Sequence, residues 1–205
     1  MNMLVLVSGN GSNLQALIDA ERAGNLGGAR IAAVVSDRAG IFALERAKRT
    51  GIPVHTEVPD RALPKEQGRE ELSGRILRIA GEYDAALIVL AGFLSILRGD
   101  LLTLYEGRII NLHPSLLPKY GGPGMYGEGV HRAVLAANET ESGCTVHIVD
   151  RGTDTGPILV QRKVPVLRGD TPEILAARIH REEHTAIVDA VLIMAARFSA
   201  GYKPL

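Results

Sequence analysis

Apolar and polar positions fall in blocks along this chain. An apolar run at residues 3–7 stops at Ser8-Gly9-Asn10-Gly11-Ser12-Asn13. Leu14, Leu17 and Ile18 then recur at helical spacing, with Asp19, Glu21 and Arg22 between and beyond them. The opening therefore reads strand, glycine loop, helix. Residues 31–35 predict a second strand, 41–50 a second helix with Gly51 as its C-terminal cap, and 53–55 a short third strand. Residues 64–81 are charged, with Leu72, Ile76, Leu77 and Ile79 on one stripe, which predicts an amphipathic helix. The unbroken apolar run at 85–91 predicts a central strand covered on both faces, and 97–104 a short helix. This strand–helix alternation implies a doubly wound, mostly parallel α/β sheet, a Rossmann-like arrangement.

The pattern changes at Ile109-Ile110-Asn111-Leu112-His113-Pro114-Ser115-Leu116-Leu117-Pro118. On an extended backbone Asn111 and His113 project from one face, and Pro114 stops the strand just after them. An amide and a titratable ring at the carboxyl end of an α/β strand lie where ligand sites are expected, although a lone histidine at a strand end is more often structural. Residues 119–129 are glycine-rich and predict a mobile loop, 130–138 a helix, and 144–149 and 157–166 two strands joined by a long hairpin loop. The C-terminal part thus carries antiparallel strands. Thr171-Pro172-Glu173 has the cap, first-turn proline and acid of a helix start, and that helix runs to about residue 198.

Several residues qualify for chemistry. Amide groups at the start of a helix make the first loop an anion site. No lysine follows the glycines, which excludes a nucleoside-triphosphate loop, and the third glycine of a dinucleotide fingerprint is missing. A monophosphate fits better; the bland reading is a tight turn with Ser12 as helix cap. A carboxylate beside His113 would raise the ring's pKa and fix its tautomer, and Asp154 and Asp150 compete for that role. Both acids also suit a turn. His180, Glu183 and His184 share the last helix but lack a zinc-protease pattern, so no metal is expected.

Composition narrows the classes. The chain has 205 residues, 46% of them hydrophobic, which suits one domain with a real core. Lys plus Arg and Asp plus Glu number 23 each, so nothing favours a nucleic-acid or membrane partner. The one cysteine, Cys144, excludes a disulfide framework and fits a reducing cytoplasm. The apolar start is too short for a signal peptide or membrane span.

Four segments carry a resemblance that covers nearly the whole chain in order: Ser8-Gly9-Asn10-Gly11-Ser12-Asn13-Leu14-Gln15, Ala91-Gly92-Phe93, Asn111 through Pro118, and Asp154-Thr155-Gly156-Pro157. They resemble the phosphoribosylglycinamide formyltransferases, the folate-dependent transformylases of purine synthesis. The resemblance implies formyl transfer from 10-formyltetrahydrofolate, a co-substrate, to the amine of glycinamide ribonucleotide. It implies Asn111, His113 and Asp154 as catalytic residues, with Asp154 keeping His113 charged. Gly11, Ser12 and Asn13, with Lys65, would hold the substrate phosphate, and Glu183 its ribose. Phe93, Leu94, Ser95, Ile96 and Leu97, with Asn111 and Asp150, would bound the folate. Ser95 and His180 depart from the arginine and lysine of many or some relatives. The loop at 120–127 resembles one version found in the family and would close over the folate. The implied organisation is one domain, 1–205, with a nucleotide half (1–110) and a folate-binding, catalytic half (111–205), as monomer or homodimer. Two other readings stay open: another formyl-folate enzyme, such as a formyltetrahydrofolate hydrolase or an aminoacyl-tRNA formyltransferase, and a non-catalytic module that binds a phosphate ligand.

Overall fold

A computed structural model describes residues 1–201. Seven strands form one sheet: β1 (Asn2–Val7), β2 (Arg30–Ser36), β3 (Val54–Thr56), β4 (Leu87–Leu90), β5 (Ile109–His113), β6 (Glu141–Ile148) and β7 (Ile158–Pro165). Their order is β3-β2-β1-β4-β5-β6-β7. The first five strands run parallel; β6 pairs antiparallel with β5, and β7 with β6. The doubly wound, mostly parallel sheet with antiparallel C-terminal strands is as expected from the sequence. The chain leaves β1 toward β2 on one side and returns as β4 on the other. The carboxyl ends of β1 and β4 therefore flank the topological switch point, where α/β sheets bind ligands.

Six helices cover the sheet: α1 (Ser12–Arg22), α2 (Phe42–Arg49), α3 (Lys65–Glu82), α4 (Asp100–Leu104), α5 (Glu128–Ala136) and α6 (Pro172–Ser199). Strand alternation divides the core into two layers. Met3, Val5, Val7, Leu87, Val89, Ile110 and Leu112 pack with α1, α2 and α6. Leu4, Leu6, Ile88, Leu90 and Ile109 pack with α3 and α4. Asn111 and His113 continue the Ile109 side, so they leave the sheet on the α3 face.

Several boundaries shift for local reasons. The central strand is only Leu87–Leu90, because Ala85 N–H bonds back to the Ala80 carbonyl in the last turns of α3. The short helix α4 starts at Asp100, since Gly99 has φ +67°. Cys144 lies inside β6, fully buried, and not at its start. Thr171 caps α6 as its sequence implies, accepting from the Ile174 N–H at 3.3 Å. Among the described residues no helix is long and apolar enough to cross a membrane.

Candidate active site

One cavity of about 990 Å³ opens at the carboxyl ends of the central strands. Its lining runs from Asn13 on α1 through residues 92–98 to Asn111 and His113, and on to His147, Asp154 and Glu183.

The first end is the turn between β1 and α1. Gly11 sits at φ +77° just before the helix, and a side chain there would meet Ala43 Cβ at 2.6 Å. Glycine is thus required both for the backbone conformation and for the approach of α2. Ser12 is the first helical residue, and no side chain caps α1, so the first-turn amides keep their donors. Arg46, which the sequence reading passed over, braces the loop: Nε donates to the Asn10 carbonyl at 2.9 Å and Nη2 to Asn10 Oδ1 at 2.9 Å. Its only sequence signal is a basic residue on a neighbouring helix. Asn13 Nδ2 donates to Glu183 Oε2 at 3.1 Å, a link across 170 positions that joins α1 to α6. His180 Nδ1 lies 2.7 Å from the same oxygen. Burial pushes the Glu183 carboxyl up, but His180 and Asn13 outweigh it and hold the group below its ordinary value. The same pair raises His180.

Lys65 reaches the same cavity from another element. It opens α3 on the other face of the sheet, where it lines the cavity with Arg69, Arg98 and the segment from Phe93 to Leu97. Sequence distance gave no warning, because α1 and α3 cover opposite faces. The segment at 93–98 has no regular structure and is held by side chains. Leu94 N–H donates to Ser8 Oγ at 2.8 Å, Ser95 Oγ to Asp37 Oδ2 at 2.7 Å, and Arg98 N–H to Ser73 Oγ at 2.9 Å.

The centre is built by cross-strand pairing. In the β5–β6 register Asn111 stands opposite His147, and His113 opposite Thr145. Directly opposed residues share a face, so Asn111 Nδ2 reaches His147 Nε2 at 3.1 Å. His147 went unremarked in the sequence. The alternation of Cys144, Thr145, Val146 and His147 was the available signal, since it puts both polar residues opposite the buried apolar ones. Asp154 lies between the two imidazoles: Oδ2 is 3.5 Å from His113 Nδ1, and Oδ1 is 3.5 Å from His147 Nε2. Gly122 N–H donates to its Oδ2 at 2.9 Å, which ties the glycine-rich loop to the site. Asp154 adopts φ +58°, a left-handed conformation that aspartate tolerates in turns better than most residues do. Asp150 is occupied otherwise. Its Oδ1 accepts from Gly152 N–H at 2.9 Å and Thr155 Oγ1 at 2.7 Å, which makes it the turn-former, although it still lines the cavity.

Burial works against ionisation of Asp154, yet His147, His113 and the Gly122 amide outweigh it and leave the carboxyl below its ordinary value. For His113 the balance goes the other way. Burial dominates and pushes the ring below its ordinary value, against the pull of Asp154 and the Tyr120 carbonyl. Asp154 therefore does not by itself keep His113 charged. His113 Nε2 lies 2.8 Å from the Tyr120 carbonyl, so that nitrogen carries a proton and donates. Among the described residues no group of histidines, cysteines and acids has a metal-binding arrangement.

This fold and site define a class: an open α/β sheet with an anion-receptive helix start, and an amide–imidazole–carboxylate cluster at the adjoining strand ends. The chain belongs to the formyl transferase family, which matches residues 1–191. It is 41% identical to the phosphoribosylglycinamide formyltransferase of Escherichia coli (strain K12), over 90% of this chain and 82% of that protein. It is 47% identical to the trifunctional purine biosynthetic protein adenosine-3 of Drosophila pseudoobscura pseudoobscura, over 93% of this chain but only 13% of that longer protein. A crystal structure of glycinamide ribonucleotide transformylase 1 from Symbiobacterium toebii superposes with a TM-score of 0.87 at 39% identity, covering 96% of this chain and 88% of that one.

Proposed function

We propose that this chain transfers the formyl group of 10-formyltetrahydrofolate to the amine of glycinamide ribonucleotide, a step of purine synthesis. The observation that carries the reading is Asp154 held 3.5 Å from His113, beside Asn111, in a cavity that also reaches Asn13 at the start of α1. The names of the relatives above point to the acceptor and to formyl transfer, and the folate donor follows from the sequence resemblance.

In this reading Gly11, Ser12 and Asn13 bind the phosphate through first-turn amides, and Glu183 accepts from ribose hydroxyls. Phe93, Leu94, Ser95, Ile96 and Leu97, with Asp150, bound the folate. Lys65 serves the carboxylates at the folate's anionic end, because it lies on that wall beside Arg69 and Arg98. In this reading the division at residue 110 does not separate the two pockets: the folate wall comes from the first half of the chain, and Glu183 from the second.

The neutral amine attacks the formyl carbon, and the carbon–N10 bond breaks. One amine proton leaves as N10 gains one. Negative charge builds on the formyl oxygen, where the Asn111 amide donates and an adjacent imidazolium stabilises it. His113 is uncharged more readily than an ordinary histidine, and negative charge arriving beside it favours its protonated form. Asp154 stays ionised and orders the proton path between amine and N10. A monomer or homodimer and a cytoplasmic setting complete the reading.

The test is incubation of the protein with 10-formyltetrahydrofolate, with and without glycinamide ribonucleotide. Formylation of the amine supports the transferase. Release of formate without the amine would instead favour a formyltetrahydrofolate hydrolase. Ligand binding with no turnover would favour a phosphate-binding module.

A further inference from the structure

His131 is a buried imidazole that the mechanism above does not use. It projects from the first turn of α5, is 3% exposed, and lines the cavity. It shares the cavity wall with Glu183, His180, Glu128 and His113, the ribose-side carboxylate and the imidazole of the reacting centre among them. Nδ1 is sealed from solvent and has no hydrogen-bond partner. A proton on Nδ1 would strand a buried donor, which folded proteins rarely tolerate, whereas an unpaired acceptor is less costly. The proton therefore belongs on Nε2, the nitrogen that is not sealed and that no described residue engages. Burial pushes the ring below the ordinary histidine value, with Glu183 opposing, which agrees with a neutral ring carrying one N–H.

We propose that His131 is a substrate-positioning residue whose Nε2–H donates to the amide carbonyl oxygen that lies between the ribose and the reacting amine of the acceptor substrate. The inference rests on the transferase reading. With Glu183 at the ribose and Asn111 and His113 at the formyl carbon, the stretch of substrate that passes His131 is the amide link. That link offers one strong acceptor, its carbonyl. Binding there fixes the amine's line of approach without adding charge.

The test compares steady-state kinetics of the wild type with His131→Phe, which keeps a flat ring without nitrogens, and His131→Gln, whose amide nitrogen reaches toward the Nε2 position. His131→Phe should raise KM for glycinamide ribonucleotide about five- to tenfold, the worth of one hydrogen bond, with KM for the folate unchanged. His131→Gln should recover part of the loss. An unchanged amine-substrate KM in the Phe variant, or an equal rise in both KM values, would overturn the proposal. Should the Phe variant not fold, the wild type decides: an analogue with a methylene in place of the amide carbonyl should bind several-fold more weakly, and equal affinity would overturn the contact. Absence of formyl transfer by the wild type would refute the transferase reading itself, a separate outcome.

Discussion

The two ends of the cavity are assembled in different ways. At the end proposed for the phosphate the donors are backbone amides of one local turn. Their direction follows from Gly11 at φ +77° and from the helix that starts one residue later. At the centre proposed for catalysis the groups are side chains from three places: Asn111 and His113 on β5, His147 on β6, and Asp154 in the loop between β6 and β7. The first end is built mainly from a strand, a glycine and a helix in sequence, with Arg46 of α2 as a brace. The second needs antiparallel pairing in one register, since a slip of one residue would turn His147 to the other face. A local device tolerates change around it, whereas a converging one fails when any contributor moves.

The sharpest test of that contrast lies at Asp154. Asp154→Asn keeps the shape but removes the charge between the two imidazoles. By the precedent of carboxylates that orient a catalytic histidine, kcat should fall by about 10³–10⁴ with little change in either KM. A loss under tenfold would show that the carboxylate does not organise the centre. Asn111→Ala removes one donor to the developing oxyanion and frees His147 from its amide partner. Here kcat should fall by about 10²–10³.

The local end should respond differently. Gly11→Ala forces a side chain into a left-handed backbone and against Ala43, which should destabilise the fold by ~1–3 kcal/mol and lower Tm by several degrees. The KM for the phosphate-bearing substrate should rise while kcat at saturation holds. A fall in kcat with KM unchanged would mean the turn serves chemistry and not binding.

The smallest effect concerns pH. His113, His131 and His184 each titrate below 6.5, burial being the first cause in every case. Their neutral forms are favoured in the folded chain. The stability they contribute is complete above pH 6.5 and is lost as pH falls through their lower folded-state values. His180 has the opposite sign: its bond to Glu183 raises its pKa, so its contribution is full below 6.5 and is lost as pH rises through the folded value. With three rings against one, the urea midpoint should fall between pH 7.5 and 5. A midpoint that rises on acidification would show that the His180–Glu183 pair outweighs the three buried rings.

The sequence by itself determined much of this protein. Alternating and continuous apolar runs gave the strand–helix order. Pro172 behind Thr171 gave the start of α6, and the spacing of Asn111 and His113 gave a pair on one face. Each is local: side-chain periods of 2 and 3.6, and a proline's missing donor, act within a few residues. Only the tertiary structure separated Asp154 from Asp150, because both stand in one loop with turn-forming composition and only the fold shows which carboxylate meets the histidines. It put Lys65 on α3 beside Arg69 and the segment at 93–97, since the face of the sheet a helix covers depends on how the chain crosses over. It also brought in His147 and Arg46, whose partners lie 36 positions away in the chain. The ionisation of His113 was likewise beyond the sequence. A neighbouring carboxylate argues for charge and burial argues against it, and burial is a property of the packed molecule alone.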